Sequence, residues 1–148
     1  MNYWNFTSEA ESFSLRLPEN WSEYNDADNS SSFFNAQEWS GNLRITSFTW
    51  DNTGIGEKND RAEEYIQSEL SDNANAILVK VGEWDAAFYS KETKDKKDVI
   101  YYWATGLKNN LFLCSFTIDK SFFNTDRNNS ELTVVEEILG SIRILNKD

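Results

Sequence analysis

The chain has no histidine, one cysteine and one proline in 148 residues. Without histidine it lacks the commonest general base, the Ser-His and Cys-His nucleophile pairs, and the imidazole ligand of nearly every zinc or iron site. Its single cysteine, Cys114, forms no internal disulfide, which fits a reducing compartment. No run approaches the ~18 apolar residues of a membrane-crossing helix. The opening stretch, MNYWNFTSEAESF, has no basic segment followed by an apolar one. No signal peptide is visible, and the cytoplasm is the expected location. Cations are few as well: 14 Lys and Arg against 25 Asp and Glu leave a net charge of −11. That balance argues against nucleic acid and anionic membrane surfaces, which are bound through clustered Lys and Arg. It suits a basic protein partner, steered by the field of the whole surface.

What the chain does have is aromatic bulk: ten Phe, six Trp and six Tyr. A chain of this length buries ~70% of the surface its unfolded form exposes, and these side chains supply a core despite the charge. No repeat and no Pro- or Gly-rich linker interrupts it, so residues 1–148 read as one domain.

Alternation and breakers place the elements. In FSLRLPENW, Phe13, Leu15 and Leu17 alternate with Ser14 and Arg16, the pattern of a strand with one wet face. Pro18, the lone proline, cannot donate to a ladder and ends that strand. Trp21 and Tyr24 start a short second one. YNDADNSSS reads as a polar loop, Phe33 and Phe34 as a strand, and Ser40-Gly41-Asn42 as a turn. Leu43 to Trp50 is a strand rich in β-branched and aromatic residues.

A helix is expected from Asp60 to Leu70, capped by Asn59 or Asp60, with Ala62, Ile66 and Leu70 on one face. Ala76–Val81 and Trp84–Ser90 form a hairpin about Gly82-Glu83. KETKDKKD is a charged hairpin tip. VIYYWATGL and LFLCSFTID are long strands, apolar on both faces, as strands covered on both sides would be. A last helix is expected from an N-cap at Ser130 to Gly140, followed by a closing strand in SIRIL. The sum is an α+β domain, mainly antiparallel sheet.

FSLRLPENW near the start, LRITSFTW mid-chain and EEILGSIRIL at the end resemble the PsbP-like fold family. That family includes the photosystem II extrinsic subunit P and the DcrB-type bacterial proteins. The resemblance spans nearly the whole chain and implies an antiparallel sheet with helices on both faces. It further implies a binding or accessory role without catalysis; no cofactor is expected. It supplies no site residues, because its motifs here are structural.

Cys114 sits in mid-strand with Phe112 and Phe116 on its own side, the setting of a small core residue. Glu63-Glu64 and Glu136-Glu137 are neighbours on helices, where adjacent positions do not share a face. Asp26 and Asp28 resemble a calcium loop only faintly, since Ser31 stands where the loop requires glycine. The segments TGIG and GEKND hold too few glycines to cradle a phosphate. Three functional readings follow. The first is a non-catalytic binding domain for a protein partner, an accessory or immunity-type factor. The second is a small-ligand module with an aromatic pocket formed by Trp50, Tyr102 and Trp103. The third is a carboxylate-dependent hydrolase, which needs two carboxylates facing each other across a cleft.

Overall fold

A computed structural model describes residues 2–27, 30–50 and 60–145, the side chains of 25–27 excepted. Along the chain come β1 (Tyr3–Thr7), β2 (Phe13–Pro18), β3 (Trp21–Ala27), β4 (Ser30–Asn35) and β5 (Gly41–Thr49). Then follow α1 (Arg61–Asp72), β6 (Ile77–Val81), β7 (Trp84–Glu92), β8 (Asp98–Leu107) and β9 (Asn110–Asp119). A 3-10 turn at Lys120–Phe122 leads into α2 (Asp126–Gly140), and β10 (Arg143–Ile144) closes the described chain.

Seven strands form one antiparallel sheet in the order β3-β4-β5-β9-β8-β7-β6. A small sheet has the order β1-β2-β10, also antiparallel. Helix α1 covers one face of the large sheet, where Ile66 packs against Ala87 and Ala104. The opposite face carries the main core. There Phe33, Ile45, Trp103 and Phe116 meet Phe13, Leu15 and Leu17 of the small sheet and Val135, Ile138 and Leu139 of α2. Both faces of β8 and β9 are therefore covered, which explains their lack of polar alternation. The fold is the α+β, PsbP-like arrangement that the sequence resembles.

Pro18 is the last residue of β2 and stands opposite Tyr3. The chain leaves the small sheet there and enters the large one at Trp21, which is buried in the core. Helix α1 begins where expected: the Asp60 carboxylate caps it, accepting from the Glu63 N–H at 2.9 Å. The other cap considered, Asn59, lies outside the described residues.

Four local expectations are corrected. First, α2 starts at Asp126, not after Ser130: the Thr125 hydroxyl is the cap and accepts from the Asn128 N–H. Asn128 and Asn129 favour caps over helix interiors. Here tertiary contact prevails, because Asn128 is buried and its Nδ2 donates to the Tyr101 hydroxyl at 2.9 Å. Second, much of YNDADNSSS is not loop, since β3 runs to Ala27 and β4 begins at Ser30. Pairing with β5 holds that polar stretch extended, and the Ser30 and Thr46 hydroxyls bond across it. Third, Gly41 and Asn42 belong to β5 and not to a turn. Glycine is there for space: a Cβ would stand 2.6 Å from the Phe116 ring and 2.8 Å from Ile118. Fourth, β1 forms a strand that sequence reading leaves out, with Trp4 and Phe6 turned to the core.

Candidate functional site

An open concavity lies on the outer face of the small sheet. Alternation turns Asn5 of β1, Ser14 and Arg16 of β2, and Arg143 of β10 away from the core; Asn5 stands opposite Arg16, and Ser14 opposite Arg143. The last turns of α2 form a second wall with Glu136 and Glu137, and the β6–β7 hairpin adds Lys80 of β6 and Gly82 of its turn. Together they enclose a cleft of about 790 Å³.

Local bonding sets the positions of the charges. The Arg16 guanidinium lies over the Tyr3 ring, 4.5 Å from its centre. Arg143 donates to the carbonyls of Gly140 at 3.1 Å and Ile142 at 2.8 Å, so its cation sits at the negative end of α2. Lys80 pairs with Asp85 at 3.2 Å. Just before β10 begins, the Ser141 Oγ accepts from the Arg16 N–H at 2.8 Å and gives its own proton to the Ile138 carbonyl at 2.6 Å. Partial burial pushes the Glu136 carboxyl above its ordinary pKa. The cleft thus presents cations along the sheet and carboxylates along the helix.

Two glycines bring these walls together. Gly82 has φ +61°, a conformation that glycine adopts without strain. A Cβ on it would stand 2.8 Å from the Gly140 carbonyl oxygen and 2.9 Å from its Cα.

Trp50, Tyr102 and Trp103 do not form one pocket. Trp103 faces the main core and is 1% exposed, with its ring centre 5.1 Å from that of Phe88. Tyr102 is its neighbour in β8 and therefore points to the other face, under α1, stacked on Tyr89 at 5.0 Å. Trp50, just past the end of β5, lies near Arg61, whose Cζ is 6.0 Å from the Trp50 ring centre. Its backbone is tied to Asn109 in both directions, N–H to carbonyl at 2.9 Å and carbonyl to Nδ2 at 2.8 Å. The two-residue period of a strand forbids Tyr102 and Trp103 from sharing a cavity.

Cys114 is buried opposite Trp103, and burial alone drives its thiol far above the ordinary range, so no reactive thiolate forms there. Asp28, the TGIG segment and all of GEKND but its last residue, Asp60, lie outside the described residues, as does the Asp26 side chain. KETKDKKD is a hairpin tip as expected, closed by the Thr93 N–H donating to the Asp98 carbonyl at 3.0 Å. Only part of the cleft is legible in the sequence. Ser14 and Arg16 are visible in the sequence as a wet strand face, and Glu136-Glu137 as helix surface. Lys80 and Arg143 carry no local signal.

Burial pushes the Tyr89 hydroxyl pKa up to about 12, with the Glu69 carboxylate, Tyr102 and Tyr65 adding to the shift. Its ordinary value is 10.0, so the folded state holds this proton more tightly than the unfolded chain. The resulting stabilisation is complete below pH 10 and is lost as pH rises toward 12. The urea midpoint falls between about pH 9 and about pH 11.5, and Tyr89→Phe reduces that fall. An equal fall in both proteins rules this origin out.

Among the described residues, no helix is long and apolar enough to cross a membrane. Comparison with known proteins gives a family and a fold. A family model described as a domain of unknown function, DUF3805, matches residues 1–148. No curated protein matches. A crystal structure from Bacteroides thetaiotaomicron is similar over 99% of this chain, with 29% identity and a TM-score of 0.77. The chain spans 50% of that structure's length. LpqN, involved in cell envelope biogenesis of Mycobacterium tuberculosis, is similar in fold over 98% of this chain and 91% of its own, at 10% identity and a TM-score of 0.54. A cyanobacterial PsbP from Synechocystis aligns over 97% of this chain and 92% of its own, at 10% identity and a TM-score of 0.44.

Proposed function

The chain belongs to the DUF3805 family, a domain of unknown function, and on that premise we propose that it is a non-catalytic binding domain whose target is another protein. The observation that carries this reading is the cleft between the small sheet and α2. It is open, and its walls offer charges of both signs: Arg16 and Arg143 on one side, Glu136 and Glu137 on the other. Such a lining matches a polar protein surface better than an apolar small molecule, which calls for a mostly hydrophobic pocket. The absence of histidine and the burial of the one thiol support a role without catalysis. The net charge of −11 favours a basic partner, drawn in by long-range attraction and seated against the α2 carboxylates. The unpaired cysteine supports a cytoplasmic setting.

Capture from a lysate of the source organism tests this. The partner is retained at low ionic strength and released at about 0.5 M salt, where the screening length falls to a few ångströms. The double variant Glu136→Lys, Glu137→Lys retains at least about tenfold less partner, because it reverses the charge of one wall. Partner capture that is indifferent to both salt and the double variant overturns the assignment of this cleft. No capture at low salt overturns the reading as a whole.

A further inference from the structure

The two ends of the large sheet are guarded unequally. Edge strands offer unpaired N–H and C=O groups, and soluble proteins blunt them with charge, bulges or covering elements. At one end, β3 carries Glu23 and has a register shift between Asn25 and Ala27. At the other end, β6 pairs with β7 alone and without irregularity, from Ile77 opposite Phe88 to Val81 opposite Trp84. Its sequence is ILVKV. Ile77 is 57% exposed and Leu78 is 55% exposed, one on each face of the sheet. The single charge, Lys80, is already paired with Asp85.

The hairpin fixes which backbone groups are free. Val81 and Trp84 flank the two-residue turn Gly82-Glu83 and form its hydrogen-bonded closing pair. Alternation then turns the N–H and C=O groups of Val79 toward β7, and those of Leu78 and Lys80 outward.

We propose that β6 pairs, antiparallel, with β6 of a second copy of this chain about a two-fold axis at Val79. In that register Leu78 faces Lys80 of the other copy, twice, and each couple exchanges two backbone hydrogen bonds. Ile77 faces Val81 of the other copy on the opposite face of the sheet. The strand complements itself: no like charges stand directly opposite, Leu78 covers the aliphatic stem of Lys80, and each ammonium keeps its own Asp85. This self-association uses the β6 edge, which meets the cleft proposed above at Lys80 and Val81, and it responds to salt with the opposite sign to partner binding. Two chains of net charge −11 repel, so added salt tightens the dimer while it loosens a complex with a basic partner.

Sedimentation equilibrium of the purified full chain, at low and at about 0.5 M salt, decides it. The expected result is a monomer–dimer equilibrium that tightens with salt. Leu78→Lys sets like charges opposite each other at both couples and weakens the dimer at least about tenfold. Leu78→Glu removes the same apolar surface but sets a carboxylate opposite each Lys80, so at low salt it dimerises at least about tenfold more tightly than Leu78→Lys. A wild-type chain that stays monomeric in both salts overturns the proposal. So does a dimer that Leu78→Lys leaves intact, or one weakened equally by both substitutions, since hydrophobic contact in any other register has no preference for the sign of the charge.

Discussion

Trp103→Ala lowers the unfolding free energy by about 3–5 kcal/mol, the range for deleting a large aromatic from a packed core. Trp103 sits on β8, in the interior of the large sheet, and is 1% exposed. Its ring packs on Phe88 and Tyr101, with centres 5.1 Å and 6.4 Å away. Strands hydrogen-bonded on both sides cannot close over the space left behind. Trp103→Phe behaves differently. The indole Nε1 is buried and has no hydrogen-bond partner among the described residues. Phenylalanine keeps part of the ring contact and removes a buried N–H that costs about 1–3 kcal/mol when unsatisfied. Its cost is therefore less than half that of alanine. Urea unfolding followed by circular dichroism measures both, and equal costs show that the N–H is not a burden in the native state.

Gly82→Ala has the second large effect. A left-handed backbone costs a residue with a Cβ about 1–2 kcal/mol. Forcing the β6–β7 turn away from α2 costs a further ~1–3 kcal/mol, the usual range for overpacking. The second part is the larger structural event, because the atoms in the way are the Gly140 backbone, 2.8–2.9 Å from the added Cβ, and not a side chain that can rotate. Gly82→Asn separates the two causes. Asparagine tolerates positive φ better than alanine but brings the same Cβ. It recovers only the conformational part, so its midpoint in urea stays well below that of the native protein. Full recovery with asparagine assigns the whole effect to φ. Both substitutions also open the cleft at its β6–β7 end.

Sequence reading captured most strands because their signals are local. FSLRLP alternates with period two and ends on proline, LRITSFT is β-branched and aromatic, and Gly82-Glu83 is a two-residue hairpin turn. Ser130 has the chemistry of a cap residue, so the local pattern starts α2 too late. The bond that draws Asn128 into the helix comes from Tyr101, 27 residues away. The aromatic pocket failed for a different reason. Trp50, Tyr102 and Trp103 were grouped by chemical type, although neighbours on a strand point to opposite faces.

What the amino-acid sequence by itself determined is the class of elements, their order, the acidic balance and the exclusion of histidine chemistry, since each depends on composition or on spacing within a few residues. Tertiary structure alone decided the rest. It brought Arg143 of β10 and Arg16 of β2, 127 residues earlier in the chain, into one cleft lined also by Lys80 and Glu136. It also decided the fate of ILVKV. By pattern this is an apolar strand fit for the middle of a sheet, yet the strand order leaves it at the end, with Ile77 and Leu78 exposed. Side-chain pattern records how apolar a strand is; which strand is last in a sheet depends on pairings across the whole chain, which no local stretch encodes.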